Sequence, residues 1–160
     1  MQRTAALLGS FVFLLIAPGF VAGVVPFWIT RWQMNPPFFG ITAFRILGIA
    51  LMLAGAALVL DSFVRFAIQG LGTPAPIAPP RHLVVTGLYR HVRNPMYVGI
   101  LAVVFGQALL FGSVQALEYG AFLWCAFHFF VVLYEEPKLR SLFGDEYVDF
   151  CKKVPRWIPR

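Results

Sequence analysis

The sequence predicts an all-α protein: a polytopic membrane helical bundle of about four transmembrane helices, finished by a cytoplasmic C-terminal amphipathic helix. Three observations predict it. Of 160 residues, 59% are hydrophobic and only 12% charged, so a water-soluble domain would lack the polar side chains to cover its surface. Four apolar stretches approach the ~20 residues that a helix needs to cross a ~30 Å hydrocarbon core. Apart from Arg45, near the start of the second stretch, the basic residues sit beside these stretches and not within them. With no separate polar block, the chain reads as a single domain, 1–160. It divides into N-terminal spans (1–68), a connecting loop (69–94), and a helical hairpin with a C-terminal segment (95–160).

The expected spans are residues 5–29, 41–60, 96–111 and 114–134. The first follows Arg3 as a signal peptide would. It continues through Pro18 and Gly19 to the interfacial pair Trp28 and Trp32, longer than a cleaved h-region, and is read as an uncleaved span. Only Gly112 and Ser113 separate the third stretch from the fourth, which predicts a tight hairpin. Gly19 with Gly23, and Ala50 with Ala54, are the small residues expected where helices approach closely. With the N-terminus inside, 11 of the 13 basic residues fall on the cytoplasmic side and only Arg31 and Arg45 on the other, which follows the positive-inside rule. Both termini are then cytoplasmic, and the expected location is a bacterial or archaeal inner or plasma membrane. Topology also accounts for the net charge of +6 without nucleic acid. Cys125 lies in an apolar run and Cys151 in a basic tail, which makes reduced thiols the expectation.

The chemistry is expected at the charged end. Pro74, Pro76, Pro79 and Pro80 keep the first half of the loop extended. In its second half, Thr86, Gly87, Tyr89, Arg90, Arg93, Asn94, Pro95 and Tyr97 crowd before an apolar helix. Asn94 suits an N-cap and Pro95 the first helical turn. The free N–H groups there, with Arg90 and Arg93 beside them, favour an anion; the simpler alternative is that both arginines anchor to lipid phosphates. The fourth stretch ends in Tyr134, Glu135, Glu136 and Pro137, placing two carboxylates near membrane depth, where an unpartnered charge is costly. His128 and Glu135 are seven positions apart on one helix face, roughly 10 Å along the axis, a pattern suited to a protein cavity. A lone histidine can equally be structural, and the glutamates can pair with Lys138 and Arg140 as interfacial charges. Beyond them, Leu139, Phe143, Tyr147, Phe150 and Val154 are spaced as an amphipathic helix broken at Gly144. Pro155, Trp157 and Pro159 form an irregular end that folds back over the loop. No metal site is expected, since His82, His91 and His128 have no companions at ligand spacing.

Several segments resemble the isoprenylcysteine carboxyl methyltransferase family, whose superfamily includes the phospholipid N-methyltransferases. They are Gly72-Thr-Pro-Ala-Pro, Leu83-Val-Val-Thr-Gly-Leu-Tyr-Arg, Arg93-Asn-Pro-Met-Tyr-Val-Gly, Glu135-Glu-Pro-Lys-Leu, Phe143-Gly-Asp-Glu-Tyr and Val154-Pro-Arg-Trp-Ile-Pro. The resemblance implies a membrane enzyme that holds S-adenosylmethionine at the cytoplasmic face, with a lipophilic methyl acceptor entering from the bilayer. It places cofactor binding on Tyr89, Arg93, Asn94, Pro95, Tyr97, Gly99, Glu135 and Glu136, and Arg90 and His128 are expected beside them. Arg93, Glu135 and Glu136 are the expected catalytic set, with Arg93 and Asn94 at the cofactor's amino-acid end and Glu136 supporting Glu135. Many members carry histidine where this chain has Asn94, which can donate a hydrogen bond but carries no charge. The alternatives are a phospholipid amine N-methyltransferase, a non-catalytic membrane module and an NADPH-dependent membrane reductase.

Overall fold

The computed structural model describes residues 16–65, 83 and 85–158. Expectations that fall on Arg3, on the prolines from Pro74 to Pro80, on Arg81 and His82, and on Pro159 and Arg160 lie outside the described residues. Among the described residues the protein is helical, without strands. Its helices are α1 (Ile16–Thr30), α2 (Ala43–Arg65), α3 (Pro95–Phe111), α4 (Val114–Phe143) and α5 (Asp145–Lys153). Of these, α2 and α4 are long and apolar enough to cross a membrane, while α1 and α3 are shorter apolar helices.

Local chemistry explains most boundaries. The α3–α4 hairpin turns as expected: Gly112 caps α3 at φ +63°, and the Ser113 hydroxyl accepts from the Ala116 N–H to start α4. Two helices run longer than their apolar stretches. The α2 helix continues from the expected end at residue 60 to Arg65, because Arg65 donates to Asp61 one turn back at 2.7 Å. Polar residues end an apolar run without ending a helix. The expectation that α4 stops near Tyr134, before Pro137, is corrected: the helix runs on to Phe143 through a π-turn at Val131–Glu135. The widened turn ends at Glu135, two residues before Pro137, and its altered hydrogen-bond register accommodates a residue without an N–H. Gly144, at φ +53°, then separates α4 from α5.

The expectation for close helix contact also needs correction. Gly23 has nothing within 4 Å of where a side chain would begin, and Gly19, Ala50 and Ala54 are exposed. The seam instead joins α2 to α3 through Gly48 opposite Gly106 and Gly55 opposite Gly99. A Cβ on Gly48 would lie 2.6 Å from the Gly106 carbonyl, and one on Gly55 would lie 2.5 Å from the Gly99 carbonyl. Glycine at seven-residue spacing on both helices, and not small residues one turn apart, lets the backbones touch. Val59, Phe63, Met96, Ile100, Leu101, Val104 and Leu123 pack beside this seam as the core of α2, α3 and α4.

Polar side chains fasten α1 to the bundle. It has a π-turn at Phe20–Val24, and from there the Val21 carbonyl accepts from the Tyr119 hydroxyl at 2.8 Å. The Ala22 carbonyl accepts from Gln107 Nε2 at 2.6 Å. Gln107 is buried, so Gln107→Leu removes an interhelical bond without changing side-chain size much. The expected loss is about 1 kcal/mol, read as a lowered Tm in detergent; an unchanged Tm would mean that the Gln107 bond does not hold α1.

Candidate active site

The first turn of α3, the π-turn region of α4 and the tail after α5 meet at one end of the bundle. Asn94 occupies the N-cap position of α3 and Pro95 its first turn, but the Asn94 side chain does not cap. Its carboxamide donates to the Arg156 carbonyl at 3.1 Å, while the Arg93 N–H donates to the Pro155 carbonyl at 2.9 Å. The tail therefore lies across the start of α3 as a strap.

The two glutamates have different partners. Glu136 receives Arg156 through Nε at 2.6 Å and Nη2 at 3.0 Å, and Arg93 Nη1 lies 3.1 Å from its Oε1. Hydrogen bonding to Glu136 raises the Arg156 guanidinium above its usual value. Glu135, one residue earlier, accepts from the Tyr97 hydroxyl at 3.0 Å and is partly buried. Arg140 adds a further positive charge near Glu136. Arg93 is nearly enclosed: Nη1 also reaches Cys151 Sγ at 2.8 Å, and its buried Nε has no hydrogen-bond partner among the described residues. An orphaned buried N–H is disfavoured by ~1–3 kcal/mol, so it marks a place where a ligand acceptor would be stabilised.

Aromatic rings wall the same volume. Tyr97 lies 4.7 Å from Phe127 and 6.5 Å from Trp157, between ring centroids. Trp157 Nε1 donates to His128 Nδ1 at 3.2 Å. Tyr89 is buried behind the α3 start with its hydroxyl on Ser62 of α2; burial raises its phenol above the usual value, and the Ser62 bond partly opposes this. Gly99 faces α2 in the glycine seam, so its place is packing. Arg90 is exposed and lines a cavity with Asp61 and Arg65 of α2, whereas Arg93 turns inward to Glu136. The two arginines do not converge on one anion.

Residues 43–146 match the phospholipid methyltransferase family. The chain belongs to that family. Among similar proteins is the protein-S-isoprenylcysteine O-methyltransferase of Schizosaccharomyces pombe, 42% identical over 80 residues, which are 49% of this chain and 34% of the relative. Protein-S-isoprenylcysteine O-methyltransferase B of Arabidopsis thaliana is 34% identical over 80 residues, 48% of this chain and 39% of that protein. A phosphatidylethanolamine N-methyltransferase of Laccaria bicolor is 39% identical over 66 residues, 41% of this chain and 7% of the relative. The chain thus aligns with well under half the length of these curated relatives.

In this phospholipid methyltransferase family member, the matched region contains Tyr89, Arg93, Asn94, Tyr97, His128, Glu135 and Glu136 but stops short of the strap. Arg156 and Cys151 are residues that sequence reasoning left without a role at the site, and Trp157 was expected only as part of the end that folds back. The signal for Arg156 was a single cation set between Pro155 and Trp157 in a tail already expected to fold back; its partner, 20 residues upstream, is a matter of tertiary packing.

Proposed function

We propose that this chain is an integral membrane S-adenosylmethionine-dependent methyltransferase with a lipophilic acceptor, in the first instance the carboxylate of a prenylated cysteine. The proposal includes four spans, with the charged end at the cytoplasmic face. The observation that carries it is the meeting of Arg93, from the α3 start, with Glu135 and Glu136 of α4 beneath one strap. The isoprenylcysteine relatives favour the carboxyl acceptor over a phospholipid amine.

The residues present suit the cofactor. When bound, S-adenosylmethionine supplies an electrophilic methyl group on a sulfonium, and also carries a carboxylate and an amine. The buried Nε of Arg93 is a donor awaiting an acceptor, which a carboxylate would satisfy with a charge-assisted bond. Glu136 is saturated by two guanidinium groups, so its part is to hold Arg93 and the strap in place. Glu135 gives one oxygen to Tyr97, leaving the other to receive a cationic group. The faces of Tyr97, Phe127, His128 and Trp157 also favour a cation and exclude water. Methyl transfer is an in-line displacement limited by alignment, so a dry, preorganised volume supplies much of the rate.

Calorimetric titration of S-adenosylmethionine in detergent tests the assignment. Arg93→Ala should weaken binding about tenfold or more, as expected for loss of a charge-assisted bond; unchanged affinity removes Arg93 from the site. Labelled methyl transfer to a prenylcysteine analogue should exceed transfer to phosphatidylethanolamine and fall sharply in Glu135→Gln. The reverse preference would reassign the acceptor to an amine.

A further inference from the structure

A concave site has none of Tyr97, Glu135 or Glu136 in its lining. It is a cavity of about 690 Å³ between α2 and the segment around the 3-10 turn at Gly87–Arg90. Its floor is apolar and low, because Ala54 and Ala57 carry no side chain beyond Cβ, with Leu58 and Leu88 completing it. Its rim is charged: Asp61, Arg65, Arg90 and His91. Asp61 is already bonded to Arg65 at 2.7 Å, and Gly87, at φ +57°, packs directly on the Arg65 guanidinium, where any side chain would collide. Arg65 is thus held as a fixed wall, and Arg90 and His91 stand exposed at the mouth. Counting Asp61, Arg65 and Arg90, the rim has one positive charge in excess, with His91 as a further polar group.

We infer that this groove binds one anionic phospholipid, its phosphodiester at Arg65, Arg90 and His91 and one acyl chain along the alanine face of α2. Charge complementarity argues for a singly anionic headgroup. Length argues for a lipid over a free anion: from Arg65 to Ala54 the helix rises about 16 Å, close to the roughly 15 Å depth of one hydrocarbon leaflet. A floor of alanine and leucine gains nothing from inorganic phosphate but shelters a chain.

The bound lipid is not the methyl acceptor. Leu88, Arg90 and His91 face the groove, while Tyr89 between them is buried against Ser62. The α3 helix also intervenes, since it packs on α2 through the glycine seam and on α4 through Tyr97. The inference therefore does not depend on the methyltransferase reading, and its test uses no methyl donor.

Native mass spectrometry of the full chain in detergent measures retained lipid after addition of phosphatidylglycerol, phosphatidylcholine or inorganic phosphate. Wild type should retain one phosphatidylglycerol, with phosphatidylcholine held about tenfold less well, on the scale set by one or two basic groups at an anionic surface. Arg90→Ala with His91→Ala should lose that preference. Ala57→Phe, which fills the floor and leaves the rim charges in place, should lose retention itself, and Ala57→Leu serves if the larger ring prevents folding. Equal retention of the two lipids, or retention unchanged in both variant types, overturns the inference. So does displacement of phosphatidylglycerol by an equal concentration of inorganic phosphate, which would reveal an anion site with no use for the chain.

Discussion

Glu136→Ala will destabilise the protein and abolish the proposed cofactor site together. The carboxylate is 15% exposed and holds Arg93, itself 12% exposed, and Arg156, 31% exposed. Removing it leaves two cations facing each other in a largely desolvated volume, and breaking a buried pair from one side typically costs about 3–5 kcal/mol. Among the described residues, the strap would keep the Arg93 N–H on Pro155, the Asn94 carboxamide on Arg156 and the Trp157 bond to His128. The expected result is a Tm lowered by several degrees and loss of detectable S-adenosylmethionine binding. Glu136→Gln separates the two effects: it keeps one acceptor oxygen and the shape, so it should recover part of the Tm but not the alignment of Arg93. Wild-type stability in Glu136→Ala would show that the strap is held without its ion pair to Glu136.

Gly55→Val should be the most damaging single change in the bundle. A Cβ there lies 2.5 Å from the Gly99 carbonyl and 2.9 Å from the Val103 N–H. Both are helix backbone, which cannot swing aside as a side chain would. The helices must separate, and every contact along the α2–α3 seam loosens with them. Overpacking of this kind costs about 3 kcal/mol or more when the obstacle cannot move. The measurement is recovery of monodisperse protein by size exclusion, followed by thermal unfolding. Gly23→Ala is the matched control, because nothing lies within 4 Å of its Cβ position. If Gly55→Val purified and unfolded like wild type, the seam would not be the contact that holds the bundle.

Features decided by neighbours in the chain were legible early. The Gly112-Ser113 turn follows from a left-handed glycine and a serine cap, each acting within a few residues. Pro95 at the start of α3 is equally local. The end of α4 was misjudged, because a proline rule assumes regular α-helix and the π-turn ahead of Pro137 changes the spacing. The glycine seam was missed for a related reason: small residues one turn apart were sought, whereas antiparallel contact over two turns selects positions seven apart.

At the charged end, the sequence brought forward Arg93, Asn94, Tyr97, His128, Glu135 and Glu136 but not their pairing. Arg90 and Arg93 are three residues apart in the chain, yet Arg90 lines the groove beside α2 while Arg93 turns to Glu136. Asn94 holds the N-cap position while its carboxamide serves the strap.

By itself, then, the amino-acid sequence determined an apolar helical chain, the hairpin turn and the end at which charge gathers. These follow from hydropathy and from bonds that span four residues or fewer. Only the tertiary structure decided that Glu136 takes both arginines, that Glu135 is left to Tyr97, and that residues 154–157 close over them. Partner choice among buried charges depends on which groups are desolvated together. That is set by helix packing between residues far apart in the chain, as with Asn94 and the Arg156 carbonyl, 62 positions apart.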